Sequence, residues 1–124
     1  MGTNYYAGLM HRDPDGVIDR VGEIHIGKQS GGWAFGFRGY RADDNEFRVT
    51  LDTAQAWETF IRDAGYGTFV TVAYFRDEYG RLYDADALLA IVGNREGRVD
   101  HSRADDPHDR AVSDGRAVSF YEFC

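Results

Sequence analysis

Residues 23–40 of the chain, which read EIHIGKQSGGWAFGFRGY, decide its fold. Apolar and aromatic side chains are frequent in residues 23–28 and 33–40, and the polar, glycine-rich residues 29–32 separate these two runs. Two such runs around a short loop are typical of a β-hairpin. The stretch therefore predicts two neighbouring antiparallel strands.

A four-residue loop would fix the register of this hairpin. Directly paired residues share a face of the sheet, so the register decides which side chains reach the core. Three cross-strand pairs follow: Ile24 with Phe37, Ile26 with Phe35, and Lys28 with Trp33. The large apolar side chains then fall on one face, while His25 and Lys28 fall on opposite faces.

The loop end of the hairpin is the first candidate binding site. Lys28 is the only lysine in a chain that otherwise uses arginine. Its ammonium group can lie over the Trp33 ring, and the loop offers backbone amides and the Ser30 hydroxyl beside it. This combination can receive a carboxylate, a phosphate or the backbone of a partner. The alternative is that Lys28 covers the edge of the core and that the glycines serve only the turn.

The other face of the predicted hairpin is the second candidate. It carries a floor of small residues, with His25 and Arg38 at its sides. Glycine inside a strand often marks the close approach of a ligand or of another backbone. His25 and Arg38 are therefore candidate binding residues, and the alternative is that a helix or the closing strand packs on this floor.

Outward from the hairpin, further strands and a turn are predicted. The turn is the sequence DPDG at residues 13–16. Strand patterns occur at residues 3–10, 68–75, 82–83 and 117–123. The run 68–75 is apolar and aromatic almost throughout, which predicts a central strand covered on both faces.

Two helices are predicted from their caps and from apolar spacing. The first begins with a capping box formed by Asp52 and Gln55 and ends at Gly65. The second begins at Asp84 and ends at Gly93. Their apolar stripes are Ala54, Trp57, Phe60, Ile61 and Ala64 in the first, and Ala85, Leu88, Ile91 and Val92 in the second.

Together these elements predict an α+β fold, an antiparallel sheet of about five strands with two helices packed on one side. A length of 124 residues predicts a single domain, 1–124. Residues 94–115 lack an apolar period and carry many charges, so we expect a mobile loop there.

The amino-acid composition limits which partners and which cellular compartment we expect for this protein. The net charge of −7 argues against non-specific binding to nucleic acid, which needs basic side chains to displace counterions. No stretch approaches the roughly 20 apolar residues of a membrane helix, and the N-terminus lacks the pattern of a signal peptide. The one cysteine, Cys124, fits a reducing compartment. We therefore expect a cytoplasmic protein without membrane contact.

Motifs for catalysis are absent from the sequence. It contains no phosphate-binding loop, dinucleotide fingerprint, nucleophile elbow or zinc-hydrolase motif. Five imidazole and carboxylate side chains could be assembled into a metal site: His101, Asp105, Asp106, His108 and Asp109. Their spacing fits no established motif, and a charged, solvated loop is the preferred interpretation. We predict no catalytic residues, no metal site and no cofactor.

Two sequence blocks carry a family resemblance: MGTNYY at residues 1–6 and HIGKQSGGWAF at residues 25–35. Weaker matches are the helix around Trp57, residues 77–81 and residues 120–123. On these blocks the chain resembles a family of small proteins encoded by bacteriophages and by prophage-bearing bacteria. Many members carry a Cys-x-x-Cys pair between the two first blocks that looks like half a zinc site, but this chain has no cysteine there. The resemblance implies a phage context and no particular activity.

The favoured function is a non-enzymatic, phage-type accessory protein that binds and perturbs a host macromolecule, with a host protein as its partner. The predicted binding residues are Lys28, Ser30, Trp33, His25 and Arg38. The alternative is a small-ligand protein that binds or sequesters a nucleotide-type anion. A hydrolase that uses His25 with a nearby carboxylate is a weaker third hypothesis, because the sequence supplies no nucleophile or metal for it.

Overall fold

The computed structural model describes residues 2–99 and 110–120, which contain eight β-strands and two α-helices. In chain order the elements are β1 (Gly2–Arg12), β2 (Ile18–Ser30), β3 (Gly36–Arg38), α1 (Ala54–Asp63), β4 (Gly65–Tyr66), β5 (Val70–Asp77), β6 (Leu82–Tyr83), α2 (Ala85–Val92), β7 (Arg110–Ser113) and β8 (Arg116–Ser119). A short 3₁₀ turn, Ala42–Asp44, follows β3.

The sheet is mixed, so the predicted antiparallel sheet of about five strands is wrong. The strand order is β4-β5-β1-β2-β3-β8-β7, with β6 also paired to β5, and the sheet curls into a half-barrel. β3 and β8 run parallel, which requires the long connection that carries both helices. Five of the eight strands have four residues or fewer, and such short segments leave little alternation for sequence analysis to detect.

The longest hairpin joins β1 and β2, and its turn is the predicted DPDG sequence. The Asp13 carboxylate accepts hydrogen bonds from the backbone N–H groups of Asp15 and Val17 at 2.9 and 3.0 Å. Gly16 adopts a φ of 86°, a conformation that favours glycine. The predicted first strand and turn are confirmed.

The predicted register between β2 and β3 is wrong. The observed pairs are Gly27 with Phe37 and Lys28 with Gly36, so more than four residues separate the strands. The intervening segment leaves the sheet because the Ala34 and Phe35 N–H groups donate to the carbonyls of Arg98 and Asn94 at 2.8 and 3.0 Å. Hydrogen bonds with a segment some 60 residues further along the chain therefore replace the predicted hairpin pairing of residues 33–35.

Burial of four apolar side chains in this stretch nevertheless follows the prediction, whereas Trp33, expected on the same face, is 38% exposed. Ile24, Ile26, Phe35 and Phe37 all belong to one buried core. A Cβ atom at Gly27 would lie 2.6 Å from the Phe35 ring and 2.1 Å from a backbone oxygen. The missing side chain at Gly27 therefore makes room for core packing, which supports the packing interpretation of the glycine floor.

Both predicted helices are present, with small shifts at their ends. The cap of α1 is Thr53, whose hydroxyl accepts from the Ala56 N–H at 3.0 Å, instead of Asp52. α1 ends through Ala64 in a left-handed conformation, one residue before the expected glycine. α2 begins as predicted, because the Asp84 carboxylate accepts from the Ala87 N–H at 2.8 Å. The buried faces of both helices contribute to the same core.

The predicted mobile loop, residues 94–115, is described in part. Asn94 and Arg98 bond to the segment before β3, and β7 with its turn at Asp114 and Gly115 falls inside the predicted loop. The imidazole and carboxylate side chains between residues 101 and 109, which are not predicted to form a metal site, lie outside the described residues, as does Cys124. Among the helices of the described ranges, none has the length and apolar character needed to span a membrane.

Candidate functional site

The candidate site lies on the face of β2, β1 and β5 that points away from the core, which we call the outer face. Alternate residues of β1, among them Tyr5, Ala7 and Leu9, are buried in the core. The side chains between them point outward together with their paired neighbours. Five successive cross-strand rows lie on the outer face: Ser30 and Gly2; Lys28 and Asn4; His25, Tyr6 and Arg76; Glu23, Gly8 and Tyr74; and Val21, Met10 and Thr71.

A β-bulge in β2 brings His25 and Lys28 to the same face. Tyr5 pairs with Gly27, but the next residue, Tyr6, pairs with His25, so Ile26 is an extra residue on β2. One extra residue reverses the alternation of all side chains beyond it. The prediction that His25 and Lys28 lie on opposite faces is therefore wrong.

Glu23, Arg76 and Tyr74 form a hydrogen-bonded cluster across the three strands. Arg76 donates from Nε to Glu23 Oε2 and from Nη2 to Glu23 Oε1, both at 2.6 Å. The Tyr74 hydroxyl donates to Glu23 Oε2 at 2.5 Å. The bonds from Arg76 lower the pKa of Glu23 to about 2, with a further contribution from Tyr74. The Glu23 carboxylate is therefore ionised and fixed in place at neutral pH.

The cluster continues along the outer face through stacked rings. The Arg76 guanidinium lies 4.4 Å from the centre of the Tyr6 ring, and Tyr6 stacks on His25 with centroids 4.9 Å apart. His25 Nε2 contacts Asn4 Oδ1 at 2.9 Å, and Asn4 in turn donates from its backbone and side-chain nitrogens to Glu78. Because that Asn4 amide donates to Glu78, its oxygen is the acceptor and His25 Nε2 carries the proton.

An apolar hollow lies beside this cluster, towards the turn of the β1–β2 hairpin. Its volume is about 310 Å³, and we call it the Gly8 hollow after one of the residues that line it. Its lining residues are Gly8, Leu9, Met10, Val21, Gly22, Glu23, Ala73 and Tyr74. A Cβ atom at Gly8 would lie 2.3 Å from the Tyr74 ring, so the ring lies directly over the glycine. Val21 stands at the rim with 66% of its surface exposed.

The predicted strand 68–75 contributes to this site in an unexpected way. β5 is internal to the sheet, as predicted, but Ala73 and Tyr74 are exposed, so the expectation that both faces are covered is wrong. β5 also contains an irregularity opposite Gly8 and Leu9 that interrupts its alternation. Because the apolar pattern of β5 is continuous, the sequence does not indicate that Tyr74 faces outward.

The five predicted binding residues are divided by the structure. His25, Lys28 and Ser30 lie on the outer face, where the Ser30 hydroxyl and the Lys28 stem both lie beside Gly2. Trp33 follows the end of β2, and its N–H donates to the Ser30 carbonyl at 3.1 Å. The Arg98 guanidinium lies 5.8 Å from the centre of the Trp33 ring, and Lys28 pairs in the sheet with Gly36 instead of Trp33.

Arg38 is connected to His25 through an aromatic ring. Its guanidinium lies 4.7 Å from the centre of the Tyr40 ring, and the Tyr40 hydroxyl accepts from the His25 backbone N–H at 2.9 Å. His25 itself is buried, with 6% of its surface exposed. These contacts place Arg38 beside the outer face but outside its five cross-strand rows.

Sequence reasoning missed Glu23, Tyr6, Tyr74 and Arg76 as site residues. The alternation of β1 could have indicated that Tyr6 points outward together with Asn4 and Gly8. Tyr74 and Arg76 had no comparable signal, because they become neighbours of Glu23 only through strand pairing across β1.

Two further hollows, with volumes of about 520 and 500 Å³, are open to solvent, one beside the 3₁₀ turn and one along α1. Within residues 2–99 and 110–120, no three His, Cys, Asp or Glu side chains are grouped so that they could hold a metal ion. Comparisons of the chain with family models, with curated proteins and with solved structures found no match.

Proposed function

We propose that this chain is a non-enzymatic binding protein that docks a macromolecular partner on its outer face. The observation that carries the proposal is the exposed apolar surface of Val21, Ala73 and Tyr74 around the Gly8 hollow. Exposed apolar surface next to ordered polar groups is the usual composition of a protein–protein interface.

The ordered polar groups lower the cost of binding. Glu23, Arg76 and Tyr74 already satisfy one another across three strands, so a partner need not order them or replace all of their hydrogen bonds. Pre-organised side chains lose little conformational entropy on association. The open hollows also suit a surface contact better than an enclosed small-molecule site.

The family resemblance supplies the context of this proposal. A phage-type accessory protein acts in the cytoplasm of a host cell, and the partner we propose is a host protein. The net charge of −7 favours a partner with a basic surface, because opposite charges accelerate encounter.

Paired valine substitutions test the outer face. Val21→Lys places a charge at the rim of the Gly8 hollow and should abolish capture of the partner from host lysate. Val112→Lys makes the same change on β7, at the far end of the sheet, where the valine is 47% exposed. This control should retain capture. Equal capture by both variants, each folded by circular dichroism, would remove the outer face from consideration.

A second candidate function follows from the bulge at Ile26. By bringing Lys28 to the same face as His25 and Arg76, the bulge assembles basic side chains beside the Tyr6 ring, as a nucleotide-type anion requires. Addition of nucleotides should then raise the melting temperature of the wild-type protein and leave that of Lys28→Ala unchanged. Equal shifts in the two proteins would contradict a role for Lys28.

A further inference from the structure

We infer that the Gly8 hollow receives a lysine side chain of the partner protein. This inference deepens the proposed function and rests on it. The geometry points to lysine because the apolar Gly8 hollow ends at the Glu23 carboxylate, which has one hydrogen-bond acceptor position that the described residues leave unused.

The walls of the hollow suit an aliphatic stem. Met10, Val21 and Ala73 line it with carbon atoms, and the Tyr74 ring closes the side next to the cluster. A volume of about 310 Å³ corresponds to about ten water molecules, which is enough for one extended side chain. The stem of a long charged side chain can cover apolar surface while its charged end remains near polar groups.

The polar end of the hollow is the Glu23 carboxylate. A carboxylate has about four acceptor positions, and contacts from the described part of the chain use three of them. Oε2 accepts from Arg76 Nε and Tyr74 Oη, while Oε1 accepts only from Arg76 Nη2. One position on Oε1 is therefore left for a donor from outside.

A single acceptor position distinguishes lysine from arginine. The guanidinium group of arginine binds a carboxylate best through two parallel hydrogen bonds, and Arg76 already occupies Glu23 in that way. An ammonium group is a compact charge that needs only one acceptor. The exposed Tyr74 ring offers a second favourable contact, because a cation is attracted to an aromatic face.

Charge favours a cation over a neutral side chain of the same length. Arg76 offsets the charge of Glu23, but the guanidinium lies towards Tyr6, away from the hollow side of the carboxylate. The chain as a whole carries a charge of −7, which attracts a cationic partner. A purely apolar occupant would leave the remaining acceptor on Oε1 covered and unbonded.

Three peptides test the inference on the wild-type, full-length chain. They are blocked pentaglycine analogues whose central residue is lysine, acetyl-lysine or norleucine, and ¹H–¹⁵N NMR titration follows their binding. The lysine peptide should shift the amide signals of Gly8, Val21 and Ala73 and bind more tightly than the other two. Absence of these shifts, or equal or tighter binding of the norleucine or acetyl-lysine peptide, would overturn the inference.

A charge variant completes the test. Glu23→Gln should raise the dissociation constant of the lysine peptide about threefold, the loss typical of a partly exposed ion pair. Glu96→Gln removes the same charge from the segment after α2 and should leave the constant unchanged. Equal effects of Glu23→Gln and Glu96→Gln would show that the preference for the lysine peptide depends only on the net charge of the chain, which would overturn the inference.

The outcome separates this inference from the proposed function. If Val21→Lys abolishes partner capture but the peptides show no preference for lysine, the outer face remains the docking surface and its occupant is not lysine. If the lysine preference is found but capture survives Val21→Lys, the hollow binds lysine and the proposed docking of the partner there is wrong.

Discussion

Arg76 and Arg116 are both arginines held by carboxylates, but they lie in opposite surroundings. Arg76 lies on the outer face, with 28% of its side chain exposed, and its partner Glu23 belongs to a strand of the same sheet. Arg116, at the start of β8, is fully buried. It donates to the Val92 carbonyl at 2.7 Å, to Asp114 at 2.9 Å and to Glu58 at 3.3 Å.

The elements that each arginine connects explain the difference. Arg116 joins the end of α2, the middle of α1 and the β7–β8 turn, none of which is linked to the others by a shared strand pairing. Arg76 and Glu23 lie on strands that already pair with β1 through backbone hydrogen bonds. The buried arginine therefore holds the tertiary fold, whereas the surface arginine arranges a surface that the fold does not need.

Substitution of the two arginines should separate these roles most strongly. Arg116→Met should lower the free energy of unfolding by about 3 kcal/mol, because it removes the donor to the buried Val92 carbonyl and to Glu58. Asp114 would keep its bond from Arg95. Arg76→Met, at a partly exposed pair, should cost about 1 kcal/mol or less. Urea denaturation of both variants measures the difference, and equal losses would contradict the comparison.

The pH dependence of stability should identify the Glu23 contribution. The folded pKa of Glu23, about 2, lies below its ordinary value of 4.5, because Arg76 stabilises the ionised form. The resulting stabilisation is present above pH 4.5 and is lost as the pH falls through 2. Since solvent screens this partly exposed pair, we expect about 1 kcal/mol.

Urea denaturation of the wild type and Glu23→Gln at several pH values checks this expectation. The wild type should be more stable at pH 6, and the difference should shrink towards zero as the pH approaches 2. A difference that stays constant over this range would show that ionisation of Glu23 is not its source.

The smallest effect should come from the Tyr74 hydroxyl. Tyr74→Phe removes one bond to Glu23 and keeps the ring over Gly8, so the expected loss is about 0.5 kcal/mol. Tyr79→Phe, in the exposed turn after β5, is a matched control that should leave stability unchanged. Denaturation midpoints of the two variants that agree with each other would assign no stabilising role to the Tyr74–Glu23 bond.

Sequence reasoning was accurate where short-range physics dominates. The cap at Asp84, the apolar stripes of the two helices and the DPDG turn all act within a few residues. The cap of α1 was predicted one residue too early, at Asp52 instead of Thr53. Burial of Phe35 and Phe37 was also predictable, because large aromatic side chains in such a chain have no other favourable place. The candidate site was predictable only in part, since His25 and Lys28 could be chosen by residue type but not by position.

The predictions failed where distant segments compete for the same backbone groups. The loop before β3 was expected to be short, but bonds from Ala34 and Phe35 to Arg98 and Asn94 lengthen it and shift the register. The parallel pairing of β3 with β8 depends on two helices that lie between them in sequence. No local sequence pattern indicates the bonds to Arg98 and Asn94 or the parallel pairing of β3 with β8.

By itself, the sequence determined the two helices, the first hairpin turn and the set of apolar side chains that form the core, because caps, periodicity and hydrophobicity act locally. Only the tertiary structure decided which side chains share the outer face. The extra residue at Ile26 moves Lys28 to the side of His25, and pairing of β1 with two strands brings Tyr74 and Arg76 to Glu23. The position of the bulge and the order of the strands both depend on hydrogen bonds between residues far apart in sequence, and these bonds form only when the whole sheet assembles.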